Sequence, residues 1–306
     1  MSTGAGTLLV IVSSLAFGAM ALFARVAYAA GTAPITLLFL RFGIAAGCLA
    51  FVVAARREPL PTGKVLVGLA LMGGVGYVGQ SFSFFTALTL AHAGLVALLL
   101  YLYPAIVAVL SALFLRERLS PPRVVAVAMA FIGTALTVGP RPAGTPAGIA
   151  LGIAAAFIYS AYIMAGTHLL RRSSPISGAL VVMSSAAIVF AVINVIRGPA
   201  FPQTPAGWWA AVGVAIVSTA FAVTLFLIGI AVIGPTKASV LSTFEPITTV
   251  ILAAVILGEP LSVLTAIGGA CIVGATVILA RHQEGTPAPR VAVDPAIDPA
   301  TGDDSH

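Results

Sequence analysis

The sequence is short of charge. Only 8% of its 306 residues are Asp, Glu, Lys or Arg, against 60% that are hydrophobic, whereas a soluble domain carries about 25% charged residues. Fifteen basic and nine acidic side chains do not coat a water-soluble chain of this length, so lipid has to cover the rest. Cysteine is nearly absent. Cys48 and Cys271 both lie inside apolar runs, which excludes a disulfide framework and a cysteine-based metal site. The chain has no Gly-x-x-x-x-Gly-Lys phosphate loop and no His-Glu-x-x-His zinc motif, so neither ATP-driven pumping nor zinc chemistry is expected. His92 and His168 fall at the ends of apolar runs, not deep within one as an intramembrane protease needs. Acid inside the runs is scarcer still. Glu245 is the one deep carboxylate, and a single acid makes no cluster for metal-assisted phosphate chemistry. No metal and no cofactor are expected. The net charge of +6 does not imply nucleic acid, because the basic residues sit singly or in small groups between apolar runs.

What is present is hydrophobic length. About 20 apolar residues span a bilayer core as a helix, and ten runs of that order occur, at 7–29, 34–55, 64–87, 92–115, 123–139, 147–169, 176–197, 207–232, 235–257 and 262–280. They lack the short, alternating pattern of barrel strands. Turn residues separate them, as in Gly31-Thr32-Ala33-Pro34, Glu58-Pro59-Leu60-Pro61 and Ser120-Pro121-Pro122. The first run follows a leader without Lys or Arg and reads as a retained helix, not a cleaved signal. The segment 281–306, with Asp294, Asp298, Asp303 and Asp304 among its prolines, reads as a disordered cytoplasmic tail.

The chain repeats itself. Residues 103–120 overlay 245–262, matching Pro104 with Pro246, Leu115 with Leu257, Glu117 with Glu259 and Leu119-Ser120 with Leu261-Ser262. The offset is 142, and Pro34 and Pro175 match at 141. Two units follow, 7–140 and 147–280, each of five helices. Five is odd, so the second unit enters the membrane inverted. Charge agrees. Arg56, Arg57 and Lys64, then Arg116, Arg118 and Arg123, then Arg171 and Arg172, and finally Lys237 all fall in alternate loops, while the other loops hold only Arg25, Arg141 and Arg197. By the positive-inside rule both termini are cytoplasmic, and the charge has moved to the opposite loops in the second copy, as inversion demands.

These residues resemble the EamA family of the drug/metabolite transporter superfamily. The likeness rests on Pro104 with Arg116-Glu117-Arg118-Leu119, on Phe244-Glu245-Pro246 with Gly258-Glu259-Pro260-Leu261, on Arg41, and on Gly234-Pro235-Thr236-Lys237-Ala238-Ser239. It covers about residues 8–280. Pro260 departs from the pattern, standing where the first copy has Arg118. The resemblance implies an all-α integral membrane protein of ten transmembrane helices in two inverted five-helix repeats. It also implies a central cavity lined by the first four helices of each half, with the fifth and tenth peripheral, and secondary transport, often export of amino acids or other metabolites.

Glu245 is the foremost candidate for a transport residue. It lies ten residues beyond Pro235, roughly 15 Å deep and near the membrane midplane, where a carboxylate faces a cavity or a partner. Arg41 lies seven residues beyond Pro34, roughly 10 Å deep, and is expected to share that cavity, either as an ion-pair partner or as a substrate site. Pro104 and Pro246 each remove a helical hydrogen bond and are expected to kink their helices at matched points, a mark of a transporter's binding site. Tyr103 precedes Pro104 as Glu245 precedes Pro246, so both are expected to face the cavity. Gln80, Ser81 and Ser83 in the third run and Ser218 and Thr219 in the eighth could extend a polar path, or bond back to their own helices. Trp208 and Trp209 read as interfacial anchors. Glu117 and Glu259 read as capping or gating residues, and Gly73, Gly74, Gly76 and Gly79 as sites of close helix contact. The function expected is a secondary transporter in the cell membrane that exports small metabolites by alternating access. A gated channel or facilitative pore competes with it, and an intramembrane enzyme is the third reading. Its expected partners are a small-molecule substrate and the lipid bilayer, with no nucleic acid and with a homodimer left open.

Overall fold

In hydrocarbon every backbone N–H and C=O must be satisfied within the segment, which leaves helices as the form for runs such as these. The computed structural model describes residues 2–114, 120–139, 143–169 and 174–282, and it contains ten membrane-length helices. They are α1 (Thr3–Ala29), α2 (Pro34–Arg56), α3 (Gly63–Leu90), α4 (Ala93–Phe114), α5 (Pro121–Val138), α6 (Pro146–Ala165), α7 (Pro175–Arg197), α8 (Pro205–Ile230), α9 (Lys237–Ile256) and α10 (Val263–His282). Proline occupies the first turn of α2, α5, α7 and α8, where its missing N–H is not needed. Among the described residues there is no strand, only a single bridge between Ala91 and Gly144. Large apolar side chains such as Phe51, Val195 and Val255 are more than three-quarters exposed, which is tolerable in lipid and not in water. Arg116, Glu117, Arg118, Arg141, Arg171, Arg172 and the tail from 283 onward lie outside the described residues.

The inversion is visible in which loops meet. Loop α1–α2 pairs with loop α7–α8 through Ala33 N–H to Ala200 O (3.1 Å) and Gln203 N–H to Ala30 O (2.9 Å). The copy of loop α1–α2 is loop α6–α7. That loop meets loop α2–α3 instead, where Ser174 and Ser177 donate to Glu58. Helix pairing has the same symmetry. α2 packs on α7, α4 on α9, α5 on α10, and the equivalent pairs α1 with α8 and α6 with α3 complete the set. Each pairing maps onto itself or onto another when the halves are exchanged.

Interruptions in the helices also repeat. α3 contains a widened π-helical stretch at Met72–Tyr77, and α8 contains one at Gly213–Phe221, starting 141 residues apart. α4 stops at Leu100 and resumes at Tyr103. The helix leading into α9 stops at Leu241 and resumes at Phe244. Each interruption is a two-residue turn entered through ordinary helical bonds, Tyr101 N–H to Ala97 O (3.2 Å) and Ser242 N–H to Ala238 O (2.8 Å). It falls just before Pro104 or Pro246, whose missing N–H leaves the carbonyl four residues earlier without its helical partner. The symmetry is incomplete, since α1 is interrupted at Ala19 while its copy α6 runs unbroken.

Gly73 shows why the π-helical stretch of α3 is rich in glycine. A Cβ there would lie 2.3 Å from the Val182 carbonyl oxygen of α7, so only glycine permits the contact. Gly73→Ala is expected to destabilise the protein by about 1–3 kcal/mol through overpacking. Gly47→Ala, where a Cβ would meet nothing within 4 Å, should be neutral. Thermal unfolding of the two detergent-solubilised variants checks the pair.

Candidate functional site

The broken centres of α4 and α9 lie face to face, and a cavity of about 270 Å³ opens beside them, room for roughly nine water molecules. Its wall comes from α1 (Ser14, Phe17), α2 (Arg41), α3 (Tyr77, Gln80), α4 (Tyr101, Tyr103), α6 (Tyr159), α8 (Phe226) and α9 (Ser242, Glu245, Thr249). α5 and α10 contribute nothing to it. Neither does α7, contrary to the expectation of four lining helices from each half. The position on α7 matching Arg41 is Val182, and it is spent on the contact with Gly73, which seats α7 behind α2 and α3.

Arg41 is 3% exposed. Its Nε donates to Thr219 Oγ1 (3.0 Å) and its Nη2 to Tyr77 Oη (3.2 Å). The guanidinium carbon lies over the rings of Phe42 (4.9 Å), Phe85 (5.2 Å) and Tyr77 (5.7 Å), a cation–π box. The π-helical stretch of α8 presents Thr219, whose hydroxyl donates five residues back to Val214 O (2.8 Å). Two of the five guanidinium N–H groups are thereby used. Three have no acceptor among the described residues. Arg41 and Glu245 share the cavity but are not an ion pair. Among the described residues the ion pairs are Arg25–Glu259 (3.9 Å) and Arg56–Glu58 (4.0 Å).

Glu245 sits in the first turn after the α9 break. Tyr101, from the α4 break, brings its hydroxyl to 2.9 Å from Glu245 Oε2 and 2.9 Å from the Ser242 carbonyl oxygen. Other hydroxyls near the breaks also lie between two carbonyls. Ser14 faces Val10 O (2.9 Å) and Leu241 O (3.3 Å), Ser160 faces Ala156 O (2.7 Å) and Tyr103 O (3.1 Å), and Thr249 faces Gly18 O (2.9 Å) and Glu245 O (3.2 Å). Each has one proton, which Ser14 and Ser160 place best on their own helix and Thr249 on α1.

Aromatic rings join the two charges. Five of the six tyrosines form a chain of contacts. Tyr101 meets Tyr103 (5.8 Å between centroids), Tyr103 meets Tyr159 (4.9 Å), Tyr159 meets Tyr162 (6.1 Å) and Tyr162 meets Tyr77 (5.5 Å), which carries Arg41. The hydroxyls of Tyr103, Tyr159 and Tyr162 have no hydrogen-bond partner among the described residues. Sequence reasoning picked out Tyr103 and missed the other four. The signals were there: Tyr159 and Tyr162 are three apart on one helix face, and Tyr101 stands three residues before Pro104.

The remaining candidates divide. Gln80 is on the cavity wall and accepts from the Ser81 hydroxyl at 3.1 Å. Ser81 and Ser218 are fully buried away from the wall, and Ser218 has no hydrogen-bond partner among the described residues. Thr219 is likewise off the wall and acts on it through Arg41. Pro104 and Pro246 lie behind the cavity, just after the breaks. Trp208 stacks on Phe201 (6.0 Å between centroids), and Trp209 is 75% exposed at the start of α8.

On the face opposite the amino terminus, Glu259 closes a clamp across the two halves. Its carboxylate accepts from Ala93 N–H (2.8 Å) and Gly94 N–H (3.2 Å), the first free amides of α4. Arg25 stands 3.9 Å from it and donates to Leu88 O at the end of α3 (2.8 Å). Loop α3–α4 and the start of α6 are stitched together on the same face by His92 N–H to Ala143 O and Thr145 N–H to Leu90 O.

Comparison with known proteins agrees with this fold. A family model described as the EamA-like transporter family matches residues 4–139 and again 146–281. An uncharacterized transporter of Archaeoglobus fulgidus is 26% identical over 279 residues, covering 90% of this chain and 97% of its own. The uncharacterized transporter YcbK of Bacillus subtilis is 26% identical over 283 residues, covering 86% and 89%. A protein of known crystal structure, 25% identical, superposes with a TM-score of 0.64 over 93% of this chain and all of its own. With ten apolar spans, a doubled family match and a cavity lined from both halves, the chain is a multi-pass membrane transporter and belongs to the EamA-like transporter family.

Proposed function

We propose that the protein is a secondary carrier that moves a small zwitterionic metabolite, of the amino-acid class, out of the cell by alternating access. The carrying observation is that one cavity holds a buried guanidinium and a carboxyl group that are not paired with each other. An ion pair would have spent both. Left apart, the three unused N–H groups of Arg41 suit a substrate carboxylate, and Glu245 suits an ammonium. The tyrosine and phenylalanine wall between them suits an apolar side chain. The cavity size favours a small metabolite over a lipid or a peptide.

Alternating access is supported by the inverted halves and by the Glu259 clamp, which joins the two halves on the face opposite the amino terminus. With both termini cytoplasmic, as the loop charges favour, the clamp acts as the outer gate in this reading. A metabolite then enters the cavity from the cytoplasm while the clamp is made, and the cell membrane is the compartment in which such export is useful.

The competing reading is a gated channel. The test is counterflow in proteoliposomes loaded with single amino acids. A carrier gives saturable uptake of labelled substrate, accelerated by unlabelled substrate on the far side. Flux that rises linearly with concentration and ignores the trans side overturns the carrier reading.

A further inference from the structure

The hydroxyl of Tyr101 faces two acceptors at the same distance, Glu245 Oε2 and the Ser242 carbonyl oxygen, each at 2.9 Å. A phenol has one proton to give. A carboxylate and a carbonyl have none. If Glu245 is ionised, one of the two contacts is oxygen against oxygen with no hydrogen between. If Glu245 carries a proton, it donates to Tyr101 Oη, Tyr101 donates to Ser242 O, and both contacts become hydrogen bonds. The arrangement is complete only with the carboxyl protonated.

The second acceptor has its own origin in the sequence. In an unbroken helix the Ser242 carbonyl would pair with the N–H four residues on, which is Pro246 and has no N–H. The carbonyl keeps only the three-residue bond from Glu245 N–H (3.0 Å) and a free lone pair, and Tyr101 fills it. The break in α9 is therefore bonded to α4 of the other half through one hydroxyl, and the same hydroxyl senses the carboxyl.

We propose that Glu245 is the proton-carrying group of the transport cycle, and that Tyr101 passes its protonation state to the α9 break by giving its own proton either to Ser242 or to Glu245. Because it rests on the carrier reading, it makes the protein a proton antiporter. Glu245 suits the role by elimination within the cavity. The ionisable groups facing it are Tyr101 and Tyr103 from α4, Tyr159 from α6, Tyr77 from α3 and Arg41 from α2, while α1 and α8 present none. Phenols and guanidinium ordinarily keep their protons at neutral pH, and a carboxyl is the group able to exchange one.

The cycle balances. A proton from water on one side makes Glu245 neutral, completes the chain Glu245–Tyr101–Ser242 and ties the α9 break to α4. On the other side the proton returns to water, the carboxylate takes a substrate ammonium, and Tyr101 turns to the carboxylate. The charge-assisted bond is the stronger of its two choices, so the Ser242 carbonyl is released; the carrier crosses in both loaded forms, and the bond between the α9 break and α4 differs between them. Proton and ammonium compete for one carboxylate, so they travel in opposite directions.

The experiment has two arms, with a mixture of the twenty standard amino acids as the transported probe. In proteoliposomes with a trapped pH dye, the wild type is expected to move protons against the probe, and Tyr101→Phe to lose at least about ten-fold of its gradient-driven rate. Tyr101 lines the cavity, so counterflow is expected to fall as well; the relay is read from the ratio of gradient-driven rate to probe-for-probe counterflow, which should drop in Tyr101→Phe and which a plain loss of binding would leave unchanged. Infrared spectroscopy of the purified full-length protein across a pH series, without any probe, is expected to show one carboxyl band that responds to pH and is missing in Glu245→Gln. Saturable counterflow without proton movement overturns the proton role and leaves the carrier standing. Absence of a titrating Glu245 band overturns it even if Tyr101→Phe fails to fold or no probe is carried. An unchanged ratio in Tyr101→Phe overturns the relay.

Discussion

Arg41→Gln is expected to lower the kcat/KM of substrate counterflow by about a hundred-fold, or about 2.7 kcal/mol at 1.36 kcal/mol per decade. The size follows from what Arg41 supplies. A buried guanidinium with three N–H groups to spare is, among the described residues, the one cation on the cavity wall, and losing one partner of a desolvated charge pair costs about 2–5 kcal/mol. Glutamine can still reach Thr219 and Tyr77, so the fold should survive, which circular dichroism and thermal unfolding would verify. Arg41→Lys is the sharper variant. It keeps the charge but loses the planar fork and the stacking on Phe42, Phe85 and Tyr77, and the two cations are not interchangeable at such a site. It should recover no more than about a tenth of the wild-type value. A lysine variant as active as wild type would mean that Arg41 acts as a point charge and does not grip a carboxylate.

Glu259→Ala should open the clamped face. The substitution removes the acceptor of two amide hydrogen bonds at the start of α4 and the counter-charge of Arg25. Capping losses of this kind cost about 1 kcal/mol, and an anion at a helix start adds up to about 1 kcal/mol more. A shift of 1.4 kcal/mol in a two-state equilibrium is about ten-fold in population. The readout is a single cysteine at Leu100, on the cavity wall, in a background without Cys48 and Cys271. Its labelling by an impermeant maleimide added to the clamped face is expected to rise about ten-fold with Glu259→Ala. Glu259→Gln, which keeps one acceptor oxygen, should give an intermediate rate. An unchanged rate in Glu259→Ala would mean that the backbone stitches at His92 and Thr145 hold that face closed by themselves.

The duplicated acid places these two predictions in one frame. Glu259 closes a clamp on Ala93 and Gly94, both with free amides. The copy of Ala93 under the 142 offset is Pro235, which has none. The sequence therefore offers the copy of Glu259 one amide fewer at the matching helix start.

Much of the architecture was determined by the sequence alone, because the solvent is lipid. Hydrocarbon forces runs of about 20 apolar residues and forbids unpaired backbone, so ten spans were legible. Matched prolines and acids 142 apart made the repeat legible, and the odd span count with alternating loop charge made its inversion legible. That Glu245 and Arg41 fall within apolar spans followed from counting residues along a helix. What only the tertiary structure decided is which side chains meet. Tyr101 and Glu245 are 144 residues apart, and Arg41 and Thr219 are 178 apart. Whether they touch depends on how each helix is rotated. A shift of one residue turns a side chain by about 100°, and the π-helical stretches of α3 and α8 and the breaks of α4 and α9 change that rotation midway. Apolar periodicity does not report it, since lipid-facing and core-facing side chains are equally apolar. For this reason the gathering of five tyrosines, the withdrawal of α7 from the cavity and the separation of Arg41 from Glu245 were settled by packing, not by composition or spacing.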